Sequence, residues 1–150
     1  MTHEGPKEAL AALEERVRAS EFQRWAGLEL VSLSEGSAEF GLDLLPHHGN
    51  LRGGLHGGLL AILADTATGV AMHSAVGPER THVTVQLDLH FVGQATTDRI
   101  TATGRVLRAG RRIGFAEAEI VDGVGTLVAT ASATSLISEV PPEERASGQD

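Results

Sequence analysis

The sequence predicts an α+β fold in which one antiparallel sheet wraps around a long central helix, and three observations carry that expectation. Residues 56–76, HGGLLAILADTATGVAMHSAV, are apolar on nearly every face from Leu59 to Met72, relieved only by two threonines and Asp65. A helix of that kind has to be covered on all sides. Two runs before it and four after it have strand character, bounded by Gly, Asp and Pro turn signals. The 150 residues are enough for one core and not for two. A curved sheet is the economical way to surround such a helix.

Each element follows in order. Residues 1–6 read as frayed, with Pro6 placed just ahead of a first helical turn. Over residues 7–25, Leu10, Leu13, Val17, Phe22 and Trp25 recur near helical spacing among charged residues, which predicts one surface helix packed by a single stripe. Residues 28–33 and 38–44 are strands separated by Ser34-Glu35-Gly36-Ser37, and Ala38, Phe40, Leu42 and Leu44 share the inward face of the second. Residues 46–55 form a loop, the central helix follows, and Gly77-Pro78 ends it. In the next strand Val83, Val85, Leu87, Leu89 and Phe91 are predicted to face the core, opposite a polar row of His82, Thr84, Gln86, Asp88 and His90. Residues 99–107, 112–121 and 126–137 read as a meander of three further strands. The expected domain spans 1–137, and 138–150, with Pro141-Pro142, is expected to be a mobile tail.

Composition excludes several functions. Twenty acidic against 12 basic residues give a net charge of −8, which argues against a nucleic-acid surface. Arg105, Arg108, Arg111 and Arg112 nevertheless fall within eight positions, a patch suited to a small anionic ligand or simply to a solvated turn. There is no cysteine, so disulfides, thiol nucleophiles and cysteine-bound metal are out together. His47, His48 and His56 do not have the spacing of a metal site with Asp65, and His73, His82 and His90 are expected at the surface or an interface, so no metal is expected. The N-terminus has no basic-then-apolar signal pattern and the longest apolar run is broken by Asp65, so a soluble cytoplasmic protein without membrane contact is expected. Serine-hydrolase elbow, phosphate-loop and dinucleotide fingerprints are all missing from the sequence.

Asp65 and the glycines ahead of it carry the chemistry. A carboxylate in apolar surroundings needs a partner or a use, because burial disfavours its charge. His56-Gly57-Gly58 follows Gly49, Gly53 and Gly54, marking a loop that runs into a helix start. Backbone N–H groups there lack intrahelical partners and carry the positive end of the helix dipole, and glycine lets a ligand approach them. An oxygen gaining negative charge fits such a place. Gly57 and Asp65 are eight positions apart, roughly 12 Å along a helix axis. Acting on one carbonyl, they must come from different subunits, and a symmetric dimer then holds two sites.

Asn50, then His56-Gly57-Gly58, then Leu63-Ala64-Asp65-Thr66-Ala67 in a central helix resemble the hotdog-fold acyl-CoA thioesterases, more narrowly the phenylacetate-pathway (PaaI-like) group and relatives of 4-hydroxybenzoyl-CoA thioesterase. The similarity covers about residues 27–137. The resemblance implies Asp65 as general base or nucleophile, the Gly57 N–H as the group polarising the thioester carbonyl, and Asn50 as a holder of the carbonyl or the attacking water. It implies His56 as a positioner of the loop, Gly58 as part of the substrate site, and Thr84 as the residue orienting water or acid. Arg111 and Arg112, with Arg108, would meet coenzyme A, which is part of the substrate; no separate cofactor is implied. Where relatives often have Phe-x-Arg-Pro, this chain has Phe91-Val92-Gly93-Gln94, so any coenzyme contact from that arginine is lost. The reading is a homo-oligomeric thioesterase, dimer or tetramer, acting on a small or aromatic acyl-CoA; the alternative is a non-catalytic acyl-CoA-binding or regulatory domain of the same fold.

Overall fold

The computed structural model describes residues 5–141. Helices α1 (Pro6–Ala19) and α2 (Glu21–Ala26) precede strands β1 (Leu28–Ser34) and β2 (Ser37–Asp43). A 3-10 turn (Pro46–His48) leads to helix α3 (Gly57–Val76), followed by β3 (Arg80–Phe91), β4 (Arg99–Ala109), β5 (Ile113–Asp122) and β6 (Leu127–Glu139). The six strands form one antiparallel sheet in the order β1-β2-β4-β5-β6-β3. α3 packs across it, as its all-round apolar sequence demands.

The core lies between α3 and the inner face of the sheet. Leu60, Leu63, Ala64, Ala67 and Ala71 of the helix meet Phe40, Leu42, Ile100, Ala102 and Ile120 of the strands. Each of the larger of these side chains contributes about 1.5–3 kcal/mol by leaving water. Small residues set the spacing: a Cβ at Gly104 would fall on the carbonyl of Ala67. Met72 and Val76 pack separately with Ala116 and Ile137, which places the Ala109–Ile113 turn over the C-terminal end of α3. By length and composition α3 could cross a bilayer, but here its apolar residues are packed in the sheet.

Four expectations change. The N-terminal helix is two helices, because Ser20 is extended; its Oγ accepts from the Gln23 N–H (3.4 Å) and starts the second. β6 runs to Glu139, so residues 138 and 139 belong to the sheet, and the Val140 N–H beyond it donates to the Glu79 carbonyl; residues 1–4 and 142–150, on which the frayed end and the rest of the tail fall, lie outside the described residues. β3 pairs with β6 at one edge of the sheet, and a bulge between Thr84 and Gln86 switches its faces. His82 and Thr84 therefore point inward and Val83 and Val85 outward (57% and 58% exposed), while Leu87 and Leu89 return to the core side. Asp65, finally, is exposed on the single protomer instead of enclosed.

Candidate active site at the start and middle of the central helix

The loop before α3 is braced by its own polar groups. The Asn50 N–H donates to the Gly54 carbonyl (2.7 Å), the His56 N–H to the His48 carbonyl (2.9 Å), and Gly49 bridges Leu55. The Asn50 side chain works inside this loop: its Oδ1 accepts from the N–H groups of Arg52 (2.8 Å) and Gly54 (3.2 Å), and its Nδ2 donates to the Leu55 carbonyl (3.3 Å). His48 is buried and its Nδ1 accepts from the Leu45 N–H (3.1 Å); burial, and the neighbouring His47, hold its pKa below the usual imidazole value. The loop thus delivers the chain to the helix start in one geometry.

At that start His56 is the N-cap, and its Nδ1 accepts from the Gly58 N–H at 3.0 Å. Gly58 therefore has its donor occupied, and the Leu59 N–H donates to the His56 carbonyl (3.0 Å). The Gly57 N–H has no acceptor among the described residues. It is the donor left for a ligand, at the positive end of a 20-residue helix. A Cβ on Gly57 would stand 2.9 Å from Cε1 of Phe91, so the exposed Phe91 ring lies against the helix start. Phe91 was expected in the core; at the end of β3 its ring meets the helix start instead.

Two turns further on, Asp65 lies where two depressions meet. One, toward β3, is lined by Ala61, Ile62, Asp65, Thr84 and Leu87, and so brings together the acid and the threonine. The other runs between α3 and the N-terminal helices and is lined by Asp65, Gly69, His73 and His82 on one side and Leu13, Val17 and Phe22 on the other. His82 Nε2 lies 2.9 Å from the Gly69 carbonyl, and since a carbonyl only accepts, that nitrogen carries the proton. Desolvation lowers the His82 pKa, partly offset by the Gly69 hydrogen bond and by the negative charge of Asp65. Desolvation first, then His82 and Arg16, lowers that of His73.

The expected site residues thus fall into three places. Asn50, His56, Gly57 and Gly58 gather at the helix start, and Asp65 with Thr84 forms a second group. α3 is continuous between them, so the roughly 12 Å separation of Gly57 and Asp65 stands within one chain. Arg108, Arg111 and Arg112 are exposed at or beside the turn over the far end of α3, where the Arg80 guanidinium donates to the Gly110 carbonyl at 3.2 Å. Among the described residues no group of acidic or histidine side chains is arranged to hold a metal ion.

A six-stranded antiparallel sheet packed on one long helix defines the hotdog class. The sequence profile of the Thioesterase superfamily matches residues 52–129, and the chain belongs to that family. Two relatives, both named as inferred esterases, come from Pseudomonas aeruginosa (43% identical over 86 residues, 57% of this chain and 63% of that protein) and Halobacterium salinarum (30% over 131 residues, 84% and 86%). The match thus spans under two thirds of the first relative's length. The PaaI protein of the E. coli phenylacetic acid degradation operon superposes with a TM-score of 0.77 at 22% identity, covering 89% of this chain and 96% of its own, a likeness of fold.

Proposed function

We propose that this protein hydrolyses a small or aromatic acyl-CoA thioester to the free acid and coenzyme A, at sites shared by two copies in a cytoplasmic homo-oligomer. The observation that carries the reading is the unpartnered Gly57 N–H at the start of a helix whose exposed acid, Asp65, stands two turns away. The Gly57 N–H of one protomer polarises the thioester carbonyl. Asp65 of the other, with Thr84 beside it, takes a proton from attacking water or attacks the carbonyl itself. The carbon–sulfur bond then breaks, the coenzyme leaves as its thiolate, and water completes release of the acid. No cofactor or metal takes part; coenzyme A arrives with the substrate.

The free edge of β3 supports the dimer, since an unpaired strand of 12 residues is a ready template for a second copy. Antiparallel pairing there sets two α3 helices side by side. The end of α3 is eleven residues past Asp65, roughly 17 Å. The subunit that provides the acid thus also provides Arg111 and Arg112, with Arg108, for the coenzyme's phosphates. On the outer face of the sheet Val83, Leu136 and Ile113 lie in one row across three strands, 57%, 40% and 40% exposed, which supports back-to-back pairing of dimers into a tetramer.

The test is thiol release over a panel of acyl-CoAs. Asp65→Asn should lower kcat by about 10²–10⁴. Proline at 57 removes only an N–H that the helix does not use, and the preceding His56 already has a compatible backbone (φ −69°, ψ 123°). Gly57→Pro should therefore lose more activity than Gly57→Ala, which meets Phe91 equally but keeps the donor. Mixed dimers of Asp65→Asn with Gly57→Pro should regain activity, because one of their two sites has both groups intact. Unimpaired turnover by Asp65→Asn would show that the acid is wrong, and binding without hydrolysis by the parent would favour the acyl-CoA-binding alternative.

A further inference from the structure

Strand β3 has one neighbour in the sheet, β6, and its ladder is interrupted by the bulge between Thr84 and Gln86. Thr84 stands at that interruption and lines, with Asp65, Ala61 and Ile62, the depression between strand and helix. Two residues earlier on the same face is His82. Its Nε2–H donates to the Gly69 carbonyl at 2.9 Å, and Gly69 lies one turn beyond Asp65 on α3. The spacings on the two elements match. Asp65 to Gly69 is roughly 6 Å along the helix axis, and Thr84 to His82 is roughly 7 Å along the strand. A strand pinned at His82 and Gly69 therefore brings Thr84 level with Asp65.

Packing alone does not call for a histidine at this place. Burial lowers its pKa from the ordinary 6.5, so at pH 7 the ring is neutral and the Nε2 proton given to Gly69 is its only one. Nδ1 is left buried and without a partner among the described residues, which costs stability. A leucine would fill comparable space and leave nothing unpaired, since a helical carbonyl at 69 already accepts from the N–H four residues on. The ring is nonetheless closely seated. Gly69 has no side chain to keep it off the helix backbone, where a Cβ would stand 3.7 Å from its Cε1. The His73 ring, one turn further along α3, meets it edge-on with centroids 5.7 Å apart.

We propose that His82 is a positioning residue for the acid: its bond to Gly69 clamps β3 onto the turn after Asp65 and holds Thr84 where it orients the acid or the attacking water. The inference rests on the thioesterase reading above. With its Nδ1 sealed from solvent, His82 acts through Thr84 and not on the substrate. A clamp of this kind fixes a distance and supplies neither charge nor proton, so its loss is felt in the chemical step and not in binding.

Thiol release by the full chain tests it, on the best substrate of a panel from acetyl-CoA to phenylacetyl-CoA. His82→Leu should lower kcat about tenfold or more with KM within about twofold of the parent, while Tm stays level or rises. His82→Gln should keep kcat within about threefold, because its amide nitrogen reaches as far as the imidazole Nε2. His82→Asn, one bond shorter, should be as impaired as His82→Leu. Adding His82→Leu to Thr84→Val should lower kcat no more than about twofold beyond Thr84→Val alone, since both remove one contact. Unchanged kcat in His82→Leu, a loss confined to KM, Gln no better than Asn, or losses that multiply in the double variant would each overturn the positioning role. No release from any acyl-CoA by the parent would instead strike down the thioesterase reading beneath it.

Discussion

Gly104→Ala tests the spacing on which the site depends. Gly104 lies on the inner face of β4, where α3 crosses, and an added Cβ would fall on the carbonyl carbon and oxygen of Ala67 and 2.8 Å from the Thr68 nitrogen. Both sides of this contact are backbone, so no side-chain rotation relieves it; helix and sheet must separate to reach an ordinary contact near 3.5–4 Å. Separation loosens Leu63, Ala64 and Ala67 against Ile100 and Ala102, all fully buried. Overpacking of this kind costs about 1–3 kcal/mol, and the rigid partners place it near 3. In a domain of this size that lowers Tm by roughly 6–12 °C. Urea titration followed by circular dichroism, at several protein concentrations to separate folding from assembly, should show a lower midpoint at unchanged slope. A loss below about 0.5 kcal/mol would refute the claim that helix and sheet touch backbone to backbone here.

Other outcomes follow from the same contacts. Gly57→Ala should be impaired by its contact with the Phe91 ring, and Phe91→Leu should restore part of its activity in thiol release; no restoration would remove Phe91 from the helix start. His73 and His82 have pKa values held below the ordinary 6.5, so the unfolded chain binds more protons in acid. Stability should therefore be flat in these groups above pH 6.5 and fall as pH drops below it, and a Tm–pH profile should flatten in His73→Gln. Asp122 works in the opposite sense. Its carboxylate accepts from Thr96 Oγ1 (2.6 Å) and from the N–H groups of Thr96, Val124 and Thr126, which hold its pKa well below the carboxylate range. Its contribution is complete above the ordinary carboxylate pKa of 3.8 and is lost only in stronger acid. Asp122→Ala should lower Tm at neutral pH, read by calorimetry.

Local signals resolved most of the elements. The alternation of Ala38, Phe40 and Leu42 fixed the inward face of β2, because a strand with one buried face tolerates no other phase. Strict alternation breaks down in β3. There the bulge at Thr84 and Gln86, a product of pairing with β6, turns His82 and Thr84 toward α3 and Val83 away from it, and no residue in the strand announces it. The break at Ser20 was similarly hidden, since serine is tolerated inside a helix and favoured at its cap.

The chain by itself determined that a helix apolar all round would be wrapped by an antiparallel sheet, and that a lone acid on it would stand two turns from a glycine helix start. Those are consequences of residue type and of helical rise, which need no knowledge of neighbours. Only the tertiary structure decided that the Gly58 donor is occupied by His56 while the Gly57 donor is free, and that Asp65 is exposed beside Thr84 and at the mouth of a groove. Hydrogen-bond occupancy and exposure depend on groups distant in sequence, which local pattern does not encode.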